Sequence, residues 1–450
     1  MTSPIFTRLL STSEFGVVSI YNSLLTMFTI LATLNLSAGV FNNGMTDYKK
    51  DRDRLSFSFL VLGNIITIII FSVVFIFFEQ LRPILQIDKT LTALLFVTLM
   101  FQPALSFWST RQRFEYRYKL SGFVSVAISF FSPLVAVICI HVFDNAVYSR
   151  LFGGASVQIT VYLTFYILLA YKAKGKIKIS YWKYALAFNL PLIPHYLSGY
   201  VLSVSNRLLI SYFIDESHAG FYSLAFSIAA IVAIIWNAAN VSLLPYTYEK
   251  CEKKQYGDIS KVTIPIVALY ALACCFVMLF GPEVMAIMAP KSYLVSLYAI
   301  PAIVAGTFFS SLYFIFANIV FYYKKPKFVM FASVISAVAN LALNFMLIPR
   351  FGFLVAGYVS LACYILQALL DYIAMRLVLK EKVYNMKLIV LIAAGVLAAF
   401  VLSSVLYGYP VLRYIFIGLL LASAVLMRKR IISIVRNMKF FNNSGGLNEN

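Results

Sequence analysis

The sequence predicts an all-α polytopic membrane protein, and three observations predict it. Hydrophobic residues make up 62% of its 450 residues and charged residues only 12%, against roughly 45–50% and 25% in soluble domains. Mean hydropathy is +0.87. Apolar runs of bilayer-crossing length, about 20 residues, follow one another from end to end. Such a chain cannot cover its own apolar surface with polar groups, which excludes soluble, disordered and disulfide-framed secreted classes.

Thirteen runs are legible: 16–40, 55–78, 91–108, 120–140, 151–171, 184–213, 219–244, 262–280, 294–321, 328–348, 353–375, 388–406 and 411–427. They are too long and too uniformly apolar for the alternating strands of a membrane barrel. Helices satisfy their own backbone groups in lipid, so the runs are helical. The connecting loops are short, the longest being 245–261. No separate catalytic module fits.

Charge placement gives the topology. Loops 41–54, 111–119, 172–183, 245–261, 322–327 and 376–387, with the tail after Met427, hold 29 of the 37 Lys and Arg residues. Alternate loops hold only Arg8, Arg82, Lys89, Arg150, Lys291, Arg350 and Arg413, and Arg207 lies inside a run. Basic loops stay on the cytoplasmic side, so the C-terminus is predicted to be cytoplasmic. The net charge of +20 is then a topology signal with some attraction to anionic lipid, and nucleic acid is not an expected partner.

An internal repeat divides the chain. Arg8-Leu9-Leu10, Glu14 and Gly16-Val17-Val18-Ser19 return as Arg207-Leu208-Leu209, Glu216 and Gly220-Phe221-Tyr222-Ser223. A full span precedes the second copy and seven residues precede the first. The expected parent therefore has two pseudo-symmetric six-helix halves plus a terminal pair. On this reading the first helix is expected to be largely missing here, leaving thirteen spans and a stub. The expected parts are an N-terminal lobe (1–171), a cytoplasmic linker (172–183), a C-terminal lobe (184–375), and the terminal pair with a basic tail (376–450).

Nucleotide-binding, zinc-protease and nucleophile-elbow motifs are absent from the sequence, as is metal-ligand spacing among His141, His195 and His218. No metal site is expected. Of 17 carboxylates only Asp371 lies well within a run, near its cytoplasmic end. Transport is favoured over catalysis.

Arg207 is the leading site candidate, six residues inside the outer end of its span. An arginine there either faces an aqueous cavity or snorkels to the headgroups. Arg8 occupies the same place in the other half. The span of Arg207 also carries Pro191 and Pro194, which remove backbone donors and kink a helix, with Asn189, His195, Ser198, Tyr200 and Asn206. No other span is so polar, which suggests that it lines water. Asn35 and Asn240 are further cavity or gating candidates. For them, as for Asn64, Asn237, Asn318, Asn340 and Asn344, interhelical amide bonds are the competing reading.

These residues resemble a known family. The start, Ser3–Ser11 with Glu14-Phe15-Gly16, resembles that of bacterial polysaccharide flippases, the O-antigen and oligosaccharide translocase family. Leu190-Pro191-Leu192-Ile193-Pro194-His195 with Asn206-Arg207 and Gly220–Ser223 resembles its middle motif. Asn340–Asn344, Leu347–Gly352 and Ala356-Gly357 resemble its late motif. The middle motif often has Asp where Asn206 stands. The resemblance implies the fold of the multidrug/oligosaccharidyl-lipid/polysaccharide exporter superfamily, with two lobes around a central cavity. It implies a flippase that moves an undecaprenyl-diphosphate-linked oligosaccharide, of the kind used for O-antigen, capsule, exopolysaccharide or lipopolysaccharide, across the bacterial inner membrane by alternating access. Arg8 and Arg207 would supply positive charge for the diphosphate. Glycan polymerase and chain-length proteins are implied partners. No cofactor is implied; coupling to H+ or Na+ is left open, with no ion site legible. The alternatives are a drug/cation antiporter of the same superfamily, a peptidoglycan-precursor flippase, and a membrane-embedded glycan polymerase or ligase.

Overall fold

The computed structural model describes residues 2–37, 39–115 and 117–426 of the chain, and among these all regular structure is helical. In order the helices are α1 (Ser3–Leu9), α2 (Thr12–Ala32), α3 (Val40–Asp47), α4 (Arg52–Ile76), α5 (Phe78–Leu85), α6 (Lys89–Phe114), α7 (Tyr118–Val142), α8 (Ala146–Lys172), α9 (Ile179–Asn189), α10 (Ile193–Ser203), α11 (Asn206–Phe213), α12 (Glu216–Glu252), α13 (Tyr256–Leu279), α14 (Gly281–Met288), α15 (Ala299–Tyr322), α16 (Pro326–Phe351), α17 (Val355–Val378), α18 (Met386–Leu406) and α19 (Pro410–Leu426). Eleven are long and apolar enough to cross a bilayer, and the chain is a multi-pass membrane protein.

Eleven of the thirteen expected runs fall on these bilayer-length helices; of the other two, 184–213 is broken and 411–427 falls on the shorter α19. The run 16–40 ends as a helix at Ala32, because Leu34 and Asn35 turn left-handed (φ 50° and 49°). The run 184–213 is three helices joined by a 3-10 turn at Leu190–Leu192 and a break at Val204-Ser205. The loop expected at 245–261 is helical as far as Glu252. Arg413, counted with the alternate loops although it stands at the rim of run 411–427, lies inside α19 and is buried, where it pairs with Glu283. The basic tail after Met427 lies outside the described residues.

Local chemistry sets the helix starts. Ser11 Oγ accepts from Glu14 N at 3.3 Å while the Glu14 carboxylate accepts from Ser11 N at 2.7 Å, a reciprocal cap of two otherwise orphaned donors. Asp88 caps α6 through Leu91 N at 2.8 Å, and Asn145 caps α8 through Tyr148 N at 3.1 Å. Helices α7 and α18 bury little of themselves within the protein. Phe123 is 71% exposed and Val126 69%. A contiguous apolar face of that kind requires lipid against it.

Chain contacts divide the molecule at Gly220 into two compact units. In the first, Phe41, Phe59 and Phe107 form an aromatic core with ring centroids 4.5–6.4 Å apart. In the second, α15 is the most enclosed span and packs on α17. The element order repeats between the units. Helix α4 followed by the short α5 returns as α13 followed by α14, with Phe78 and Leu85 matched 203 residues on by Gly281 and Met288.

The first unit is closed at its basic loops by tyrosine–aspartate bonds. Tyr181 donates to Asp51 at 2.5 Å and Tyr184 to Asp47 at 2.7 Å, while Arg111 pairs with Asp53 and Glu115. Burial and the Asp51 carboxylate push the Tyr181 hydroxyl up from 10.0 to about 12. The neutral phenol is the folded form, so this stabilisation is complete below pH 10 and is lost as pH rises from 10 to 12. Tyr181→Phe is expected to cost about 1–2 kcal/mol and to flatten the fall in thermal stability over that pH window, as read by unfolding in detergent.

Candidate functional site

Two helix breaks meet inside the first unit. The chain leaves α2 at Ala32 and re-enters a helix at Val40, with Leu34 and Asn35 left-handed between them. The buried Asn189 amide reaches this break, donating to Leu34 O at 2.8 Å and Asn35 O at 3.1 Å. Asn189 itself ends α9, where Pro191 and Pro194 interrupt the donor series. Gly39, at φ 26°, lets the first break approach the second. A Cβ there would stand 3.1 Å from the Phe188 ring and 3.3 Å from the Tyr196 hydroxyl. Discontinuous helices with exposed carbonyls occur at membrane depth only where protein or cavity water satisfies them, and they are where transporters bind ligands.

From this junction α10 runs past half-buried His195, whose Nδ1 is buried and unbonded among the described residues, and past buried Ser198 and Tyr200. Pro191, in the 3-10 turn before it, and Pro194, in its first turn, are exposed. Beyond the break at Val204, α11 opens with buried Asn206 and half-buried Arg207. Arg207 interacts electrostatically with the Tyr200 hydroxyl. Gln86, left-handed at φ 57°, donates to Leu208 O at 3.1 Å and so ties α11 to the end of α5.

Beside that tie lies a cleft of about 530 Å³ lined by Arg82, Gln86, Asp88 and Glu216. Arg8 is exposed on α1, its Nη1 donating to Pro4 O at 2.9 Å. Both arginines therefore belong to the first unit. Asn240 does not: in the second unit it accepts a bond from Asn318 Nδ2 at 3.0 Å, the interhelical amide pair that competed with the cavity reading.

The repeated motifs meet directly. Thr12 Oγ1 donates to Ser217 Oγ at 3.3 Å. A Cβ on Gly16 would lie 1.8 Å from the Glu216 carbonyl oxygen, and one on Gly220 2.6 Å from that of Thr12. Each glycine thus faces the carbonyl four residues before the other glycine. Only residues without a side chain permit so close a backbone crossing. The repeat found by matching Gly16 with Gly220 predicts their equivalence; nothing in the sequence predicts their contact. Gln86 and Gly39 carry no sequence signal either, since their roles arise from positive φ and tertiary approach.

Comparison with known proteins fits this architecture. The fold is similar to that of a multidrug resistance MATE family transporter of the MOP superfamily solved in an inward-facing conformation, with TM-score 0.65 at 12% identity over 84% of this chain and 92% of that one. It is equally close to the lipid II flippase MurJ in an inward closed conformation, with TM-score 0.64 at 14% identity over 93% and 98%. These likenesses define the fold, that of a polytopic all-helical membrane protein.

A family model described as polysaccharide biosynthesis protein matches residues 1–250, and the chain belongs to that family. Among curated relatives, Lsg locus putative protein 1 of Haemophilus influenzae is 30% identical over 168 residues, covering 35% of this chain and 40% of that protein. The probable low-salt glycan biosynthesis flippase Agl15 of Haloferax volcanii is 26% identical over 160 residues, covering 35% and 34%. The match thus spans about two fifths or less of these relatives.

Proposed function

We propose that the protein flips an undecaprenyl-diphosphate-linked oligosaccharide across the bacterial inner membrane, presenting a repeat unit of a surface glycan to the outer face. One observation carries this reading. The most polar span of the chain is broken twice, and just after its second break it carries Arg207, within the stretch that the polysaccharide-biosynthesis family matches. A sugar-diphosphate headgroup cannot cross hydrocarbon unaided. A broken, hydrated helix with an arginine shelters it while the prenyl tail remains in lipid. Guanidinium forks match phosphate oxygens bidentately, and Arg8 adds charge on the same unit. Rocking of one half of the chain against the other alternates access, with the C-terminus on the cytoplasmic side and glycan polymerase and chain-length proteins acting on the product. The relatives' descriptions, polysaccharide biosynthesis and glycan flippase, support this reading.

Deletion of the gene is the direct cellular test. Surface glycan should disappear while the lipid-linked unit accumulates, and a plasmid copy should restore both. Unchanged surface glycan together with lost efflux of a cationic drug would favour the antiporter reading instead.

A further inference from the structure

The second unit contains a buried polar seam between α16 and α17. Ser333, Ser336, Asn340 and Asn344 recur on α16 at one helical face, and Ser360, Cys363, Gln367 and Asp371 recur with the same spacing on α17. All eight are at most 5% exposed. Gln367 Nε2 donates to Ser333 Oγ at 3.2 Å and Asn344 to Asn340 at 3.0 Å.

The seam ends at Asp371, which is fully buried. Neither of its carboxylate oxygens has a hydrogen-bond partner among the described residues. An ionised carboxylate in such a place is prohibitively costly, and the group neutralises instead. Among the described residues no ion pair reaches it. From α15 the titratable neighbour is Tyr313, and on α16 the Ser333 hydroxyl bonds Gln367, one turn before Asp371. Tyr372 stacks on Phe316. Arg376 donates to the carbonyls of Lys380 and Glu381.

One turn beyond Asp371 the surroundings change. A cleft of about 510 Å³ is lined by Tyr372, Met375, Arg376, Lys382 and Lys387, in the basic stretch that charge placement assigns to the cytoplasm. Met375, four residues from Asp371 on the same helical face and 1% exposed, lines that cleft. A methionine side chain is unbranched and easily re-packed. If it swings aside, the carboxyl meets water and three cationic side chains, surroundings that favour ionisation.

We propose that Asp371 is a proton-binding site, loaded as the neutral acid in the conformation described and exchanging its proton with the basic cleft when Met375 moves. In that exchange the carboxylic O–H bond breaks, its proton passes to cleft water, and the carboxylate stays facing Arg376, Lys382 and Lys387. The proposal deepens the transport reading by giving the translocation cycle a titratable switch, yet it rests on the geometry of the second unit alone.

Infrared spectroscopy of the purified full-length protein tests it without any glycan. At neutral pH the wild type should show the C=O stretch of a protonated carboxylic acid, shifted by deuterated buffer, and alkaline titration should bleach it. Asp371→Asn should lack the band, and Met375→Ala should lose it at lower pH than wild type. The wild-type titration stands even if a variant does not fold. Absence of the band at neutral pH, or its persistence in folded Asp371→Asn, would overturn the proposal. With the band present and no glycan flipped, the substrate reading falls and the proton site stands. With glycan flipped and the band absent, the reverse holds.

Discussion

Arg207→Ala is expected to lower glycan transport per folded molecule tenfold or more, with the protein still inserted. Charge-assisted contacts to phosphate contribute about 1.5–3 kcal/mol when partly desolvated, and tenfold corresponds to about 1.4 kcal/mol. Arg207→Lys keeps the charge but not the planar fork, so it should fall between alanine and wild type. An arginine that merely snorkels would behave differently: lysine would replace it fully, and alanine would lower membrane abundance rather than specific activity. The proposal expects the first behaviour of half-buried Arg207, beside Tyr200 and just after the break at Val204. Surface glycan normalised to folded protein, measured for both variants, separates the two. Wild-type activity per molecule in Arg207→Ala would remove the residue from the substrate path.

The second large effect is structural. Gly16→Leu is expected to prevent the α2–α12 crossing, because even its Cβ would lie 1.8 Å from the Glu216 carbonyl oxygen. The obstacle is backbone, not a side chain that can turn away. Overpacking typically costs about 1–3 kcal/mol and more where the backbone must move. Folded protein in the membrane should therefore drop sharply. Gly220→Leu, which meets the Thr12 carbonyl at 2.6 Å, should follow with a smaller loss. By contrast Gly63→Ala, where an added Cβ meets nothing within 4 Å, should leave abundance unchanged. Detergent-extracted folded protein, quantified by size-exclusion of a fluorescent fusion, checks all three. Normal levels of Gly16→Leu would mean that the crossing is not required for the fold.

The class of fold was legible because lipid imposes a length and a composition on each span, and both are properties of local sequence. The breaks were only partly legible. Pro191 and Pro194 announce the turn at Leu190–Leu192, since a missing donor is written in the residue type. The break after Ala32 is not announced: Leu34 and Asn35 are ordinary residues held left-handed by the amide of Asn189, 155 positions away from Leu34. Charge placement misled at Arg413. In sequence it sits at the rim of a span, but Glu283 on α14 and the Tyr414 hydroxyl that bonds the same carboxylate draw it into the packing. Asp371 was visible as a carboxylate within a span. Its isolation was not, because that depends on what α15 and α16 fail to offer it.

The most direct measurement is made on reconstituted vesicles. Undecaprenyl-diphosphate-linked oligosaccharide is placed in both leaflets, and a glycan-modifying enzyme is added outside. With wild-type protein the inner-leaflet pool should become accessible and be modified. In protein-free vesicles it should stay protected, and with Arg207→Ala it should appear at least tenfold more slowly. Equal protection of the inner pool with and without the protein, in vesicles where the protein is shown to be folded, would contradict the account.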